Sequence, residues 1–183
     1  MPQYRRSRQP NSRYFFTVVT HDRNHIFASE FSRECLREAF RTIQRKHFFT
    51  IDGMVLLPDH LHAIWSLPED DSDFSLRWNL IKNRFTRLYL QTNPGVHSVS
   101  HSRIQKREQG IWQRRFWEHL IRDDEDFFKH LEYIHYNPVK HGYVRNPADW
   151  EWTSFHRYVK LGWYEKDWGS QEPEAMLDSC AGE

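Results

Sequence analysis

Residues 14–20, YFFTVVT, are aromatic and β-branched throughout and predict a strand. Between residues 30 and 47 the apolar side chains Phe31, Cys35, Leu36, Ala39, Phe40 and Ile43 recur at helical spacing, so a helix with Ser29 as its N-cap is expected. FTIDGMVLL (49–57) and HLHAIWSL (60–67) predict two more strands, joined by a tight turn at Pro58 and Asp59. After the turn-prone acidic run PEDDSD, the residues Phe74, Trp78, Ile81, Phe85 and Leu88 form one apolar stripe. Asp71, Ser72 or Asp73 is placed to cap that second helix. Residues 91–110 show no period and read as a long loop. IWQRRFWEHLIRD (111–123) predicts a further strand. DEDFFKHLEYIHYNPVKHG (124–142) predicts a third helix that opens on acids and ends near Asn137, because Pro138 cannot donate to the ladder, with Gly142 supplying a positive φ just beyond.

The order β-α-β-β-α-β-α begins with the six elements of the ferredoxin-like split βαβ pattern. The expected fold is therefore α+β: a βαββαβ sheet with its helices on one face, the other face free to stay open, an additional C-terminal helix carrying the candidate tyrosine, and an acidic tail. One domain over residues 1–183 is expected at this length, with a basic arm (1–13), the long loop (91–110) and an acidic tail (165–183).

Thirteen Phe, eight Trp and eight Tyr supply enough buried area for a core of this size. No stretch has the apolar length of a membrane span, and the basic N-terminus lacks the apolar segment of a signal peptide. The two cysteines, Cys35 and Cys180, imply no disulfide framework and fit a reducing cytosol. A net charge of +1 points to no partner by itself, but its distribution does. Residues 165–183 carry −5, so residues 1–164 carry +6. Arg5, Arg6, Arg8 and Arg13 form one basic group; Arg103, Lys106, Arg107, Arg114 and Arg115 form another, opposed only by Glu108. Such clusters attract phosphate backbones, although solvated surface explains either one alone equally well.

Two stretches carry candidate chemistry. In LLPDHLHAIW, His60 and His62 stand at i and i+2 on a strand, so both rings point to the same face, close enough for one cation. A shuffled chain with twelve histidines would produce about 0.7 such pairs, so the pair alone is weak. Two ligands do not make a closed zinc site, and the cysteines are badly placed to complete one. A catalytic cation with positions open for phosphate oxygens fits better. In HLEYIHYNPVKHG, Phe127, Leu131 and Ile134 form the core stripe, and His130, Tyr133 and Asn137 lie on an adjacent face. A phenol is a poor nucleophile at neutral pH unless a cation or base assists, and the amide one turn later could be a third ligand. Tyr136 lies one turn from Tyr133, and spacing alone does not choose between the two. Ordinary packing of either tyrosine is the competing explanation.

PDHLHAIW, then RFWEH, then YIHYNPVKHG resembles, in that order, the REP-associated tyrosine transposases, which belong to the single-tyrosine branch of the His-hydrophobe-His (HUH) nucleases. The resemblance runs through most of the chain, from YFFTVVT to DWEWTSFHRYV. It implies a ferredoxin-like sheet with the histidine pair on a central strand. It also implies cleavage and rejoining of single-stranded DNA through a 5′-phosphotyrosine link. Carried over by position, His60 and His62 match the metal ligands, Tyr133 the nucleophile and Asn137 the third ligand, where relatives often have glutamine. Tyr136 matches no functional position. Mg2+ or Mn2+ is the implied cation. The implied substrates are palindromic REP-type hairpins beside a tetranucleotide, handled by a monomer in the bacterial cytoplasm.

Charge placement puts the foot contacts on Arg5, Arg6 and Arg8, with Arg13 in the same arm, and the hairpin backbone on Arg114 and Arg115. Unstacked bases would need aromatic platforms, which the sequence does not single out. The acidic tail is expected to occlude the DNA site in part. Three other readings compete: a metal nuclease using activated water, a non-catalytic hairpin-binding protein, and a ferredoxin-like interaction protein without nucleic acid.

Overall fold

The computed structural model describes residues 9–94, 105 and 109–170. Arg5, Arg6 and Arg8 of the basic arm, Arg103, Lys106 and Arg107 of the second group, Cys180, and the tail from residue 171 onward lie outside those residues.

Strands β1 (Arg13–Val19), β2 (Thr50–Leu56), β3 (His60–Ser66) and β4 (Trp117–Leu120) form one sheet in the order β2-β3-β1-β4, every pair antiparallel. Helices α1 (Glu30–Lys46) and α2 (Phe74–Thr92) are the crossovers, giving the expected α+β split βαβ arrangement. On β1 the side chains alternate: Tyr14, Phe16 and Val18 face α1 and α2, and Phe15 faces the opposite way. All of them are buried, because both sheet faces are covered. The first layer is centred on Trp65 and Trp78, stacked at 4.1 Å, with Phe49 at 4.2 Å from Trp65.

The caps follow the sequence. Ser29 Oγ accepts from Ser32 N–H, and Asp73 carboxylate accepts from Leu76 N–H at 3.0 Å. The apolar stripe of α1 begins later than expected. Phe31 is exposed, and the inward position goes to Ser32, whose hydroxyl donates to the Ile26 carbonyl at 2.5 Å. The run 111–123 is not one strand. Trp112 bridges Thr20, but Gln113, Arg114 and Arg115 are three exposed polar residues in a row, which breaks the alternation, and pairing with β1 resumes only at Trp117.

The second sheet face does not stay open: α3 (Asp124–Lys140), the additional helix, covers it. Phe127, Leu131 and Ile134 pack there on Phe15, Val55, Leu57 and Ile64. Asp123 caps this helix, accepting from Asp126 N–H at 2.8 Å, and Asp124, Glu125 and Asp126 suit its positive end. The helix also runs past Asn137, keeping Pro138 inside its last turn. Pro138 removes one N–H from the ladder, but the end is closed by His141 N–H on Asn137 O and Tyr143 N–H on Pro138 O. Gly142 then reverses the chain at φ +72°, as expected. Residues 152–154 run along the β2 edge before a short α4 (Phe155–Lys160).

Gly53 sets how closely α3 approaches. It sits at a register shift in β2, and a Cβ there would lie 2.7 Å from Leu131 Cδ1. Gly53→Val should lower stability by about 1–3 kcal/mol in urea titration, the usual overpacking range. Gly53→Ala should cost less, since it meets only the end of a flexible side chain.

Candidate active site

His60 and His62 project from β3 to the face that α3 covers. Their ring centres are 5.0 Å apart and both side chains are buried. Each ring uses Nδ1 on a neighbour. His60 Nδ1–H donates to Asp59 Oδ1 at 2.6 Å, and His62 Nδ1 is hydrogen-bonded to Thr17 Oγ1 at 2.9 Å, across the register of β1 and β3. This fixes both rings, and a cation would be met by Nε2. Asp59 is itself held from behind by Arg23, whose Nη1–H donates to Oδ2 at 3.1 Å. Burial works against the Asp59 charge, but the bonds and charges of His60 and Arg23 outweigh it and hold the carboxyl down at about 2. Asp22 and Arg23 both adopt left-handed backbone, φ 52° and 50°, an uncommon conformation for two consecutive non-glycine residues.

From the other side α3 contributes Tyr133, Asn137 and Lys140, spaced so that they share a face. The Tyr133 ring is buried, 5.2 Å from His62 and 5.9 Å from Phe15. Lys140 Nζ lies 4.9 Å from the centre of that ring. Asn137 is fully buried one turn beyond Tyr133. His141, the C-cap of α3, packs 5.2 Å from His60. Tyr136 points away: it is half-buried and meets the stretch around Gly169. The structure thus brings His60, His62 and Tyr133 together with Asn137 on the same helix face, and leaves Tyr136 outside.

The basic residues are divided. Arg114 and Arg115 are exposed and line an open hollow of about 640 Å³ with His21, Asp22, Arg23 and Gln113. Through Arg23 that hollow adjoins Asp59 and His60. Arg13 is the first residue of β1, opposite Ser66 and so at the far end of the strand from the histidine pair. Its guanidinium covers Phe127 at 4.8 Å.

Sequence reasoning missed Asp59, Thr17, Arg23 and Lys140. Asp59 adjoins His60 and was legible; Thr17 needs the strand register, and Arg23 the strained turn.

A second cluster lies across Phe15. Donor atoms of His119, Asp126 and His130 fall within 4.8 Å of one another. Its carboxylate is already engaged. Asp126 Oδ2 is bonded to His119 Nε2 at 2.9 Å, Arg122 N–H at 3.0 Å and Arg122 Nε–H at 3.1 Å, and His130 Nδ1 meets the Asp126 carbonyl at 2.8 Å. A metal would have to displace these contacts, so the arrangement serves better to fasten the first turn of α3 to β4. Burial opposes the Asp126 charge, but the bonds from His119 and Arg122 dominate and hold the carboxyl well below its ordinary range. A depressed carboxyl stabilises the fold above its unfolded pKa, near 4, and that contribution is lost as pH falls further. Asp126→Asn should therefore cost about 2 kcal/mol at pH 7, with the gap to the unmodified protein beginning to narrow only below about pH 4 and closing only as pH falls through the depressed native value, measured by urea titration across that range.

Among the described residues no helix is long and apolar enough to cross a membrane. Residues 8–137 match the family model described as Transposase IS200 like. The chain is similar to a Haemophilus influenzae protein provisionally named as a REP-associated tyrosine transposase, 44% identical over 169 residues that make up 92% of this chain and 94% of that one. It is similar to the REP-associated tyrosine transposase of Escherichia coli K12, 39% identical over 184 residues, 100% of this chain and 98% of that one. A solved structure of a REP-associated tyrosine transposase bound to a REP hairpin matches with a TM-score of 0.80 at 38% identity, over 100% of this chain and 98% of that one.

Proposed function

The chain belongs to the REP-associated tyrosine transposases of the IS200-like family, and from that premise we propose that it cuts and rejoins single-stranded hairpin DNA with Tyr133 as nucleophile. The observation that carries this reading is the packing of Tyr133 against His62 beneath the Lys140 ammonium. The Tyr133 hydroxyl attacks the scissile phosphorus. A bond forms between the phenolic oxygen and phosphorus, the bond to the 3′ oxygen breaks, and the phenolic proton is lost while the 3′ oxygen gains one. The products are a 5′-phosphotyrosine and a free 3′-hydroxyl. Because the phosphodiester energy is kept in the adduct, a later 3′-hydroxyl reverses the step. Lys140 stabilises the negative charge that develops on the phenolic oxygen.

His60, His62 and Asn137 would hold a divalent cation. The donor set fits one: two imidazoles whose second nitrogens are fixed by Asp59 and Thr17, and an amide one turn from the nucleophile. Imidazole donors suit Mn2+ better than Mg2+, which prefers oxygen. When bound, the cation draws charge from the phosphate oxygens and favours in-line attack.

The hairpin partner rests on the relative solved with a REP hairpin. In our reading Arg114 and Arg115 take backbone phosphates in the hollow beside Arg23, and Arg5, Arg6 and Arg8 reach the unpaired foot. As the family resemblance implies, we take the chain to act as a monomer. The test is to incubate the protein with Mn2+ and labelled hairpins of varied flank, then denature. Label migrating with protein supports the reading. Free cleaved product without an adduct would replace it with a water-using nuclease, and binding without cleavage with a hairpin-binding protein.

A further inference from the structure

Three aromatic rings stand in file from the candidate metal ligands outward. His141 lies 5.2 Å from His60. Tyr143 follows at 6.1 Å from His141, with the planes 29° apart, and Trp150 at 5.5 Å from Tyr143, with the planes 30° apart. The backbone that carries Tyr143 and the ring of Trp150 are both fixed. Gly142 reverses the chain at φ +72°, and Tyr143 N–H then donates to the Pro138 carbonyl at 2.9 Å. The Trp150 indole N–H donates to the Leu56 carbonyl at 3.0 Å, at the mouth of the turn that leads to His60. Trp150 packs partly on the core, but Tyr143 is 40% exposed. Burial raises its hydroxyl pKa, the Asp59 charge adds to that and the Arg23 charge opposes it, so both ends of that ion pair lie near Tyr143; Arg145, two residues on, is exposed.

Single exposed aromatics need no explanation. A file of rings successively tilted by about 30°, anchored at its outer end, beginning beside the candidate metal ligands and flanked by arginines, suits flat, negatively charged chains. Bases present a π-face to such rings whatever their sequence, and the arginines suit the intervening phosphates.

We propose that Tyr143 and Trp150 are the stacking platform for the unpaired bases beside the scissile phosphate. This rests on the reading of the chain as a single-stranded DNA transposase. The platform contributes affinity for an unpaired foot as such, and leaves the choice of its sequence to other contacts.

The test uses the full chain without divalent metal, so that no cleavage intervenes. Affinity is measured for a hairpin stem alone and for the same stem with a four-nucleotide unpaired foot. In the unmodified protein the foot should tighten binding. Tyr143→Ala should lose roughly tenfold of that gain, Tyr143→Phe should keep it, and neither should change affinity for the stem alone. An abasic site at the stacked position should weaken the unmodified protein by a similar factor and add little to Tyr143→Ala, since both remove one contact. The platform is refuted if Tyr143→Ala binds the footed hairpin as tightly as the unmodified protein, if stem affinity falls equally, or if the foot adds nothing in the first place. Failure of the unmodified protein to bind either hairpin would instead remove the transposase reading, and the platform with it.

Discussion

Replacing Tyr133 with phenylalanine is expected to abolish the covalent protein–DNA adduct, by at least about 10³-fold, while hairpin binding and the fold remain intact. The substitution removes one oxygen and keeps the ring, so the contacts at 5.2 Å to His62 and 5.9 Å to Phe15 are retained. Its stability cost should lie within about 1 kcal/mol, the net worth of one hydrogen bond. Loss of chemistry cannot then be ascribed to unfolding, and a thermal melt of the same sample checks this. Tyr136→Phe is the matched control. Tyr136 is as close in sequence to Asn137 as a tyrosine can be, yet it meets Gly169 on another side of α3. Its adduct yield should stay within about twofold of the unmodified protein. If Tyr133→Phe still forms an adduct and Tyr136→Phe does not, the helix presents its other face to DNA, and the assignment of Tyr133 is wrong. If both retain cleavage without any adduct, the nucleophile is water.

The contrast between the two tyrosines also marks how far the chain could be read before its structure. The first three strands announced themselves because their side chains alternate or run continuously apolar, and α2 because its stripe holds its period over four turns, whereas the polar run Gln113–Arg115 that breaks 111–123 was passed over. The shared face of His60 and His62 follows from strand geometry alone. What failed was long-range. A lone proline in the last turn of α3 reads as a stop, and only the closing bonds from His141 and Tyr143 reveal why the helix continues. The cover over the second sheet face was not legible, because the stripe of Phe127, Leu131 and Ile134 names no partner. The groups that hold the histidine rings were divided by the same rule. Asp59 is a neighbour in sequence, whereas Thr17 is 45 residues away and enters only through the pairing of β1 with β3. Arg23 is further hidden, since its place depends on two consecutive left-handed residues, of which Asp22 tolerates that backbone but Arg23 does not favour it.

That difference between near and remote support makes the second large effect predictable in order. His62→Ala should weaken Mn2+ binding by at least about 10²-fold and reduce adduct formation in parallel, because it removes one of three proposed ligands. Removing a supporting group should cost less than removing a ligand, and the two supports should differ. Asp59→Asn takes away the carboxylate that fixes His60 and leaves Arg23 without its counter-charge, so a loss of about 10–100-fold in Mn2+ affinity is expected. Thr17→Val keeps the shape and removes only a neutral hydroxyl from His62, for which a loss of about fivefold is reasonable, near 1 kcal/mol. The measurement is a direct Mn2+ titration by electron paramagnetic resonance in the absence of DNA, so that it reports the site and not the reaction. If instead His62→Ala binds Mn2+ normally and Asp126→Asn does not, the cation belongs to the cluster of His119, Asp126 and His130. The hydrogen bonds that fill that cluster would then have to give way on binding, and the histidine pair on β3 would hold the phosphate or the tyrosine and no metal. The geometry favours the first outcome, because at the β3 pair the anchoring bonds to Asp59 and Thr17 use Nδ1 and set Nε2 as the coordinating atom, whereas at the second cluster Asp126 Oδ2 already accepts from His119 and Arg122.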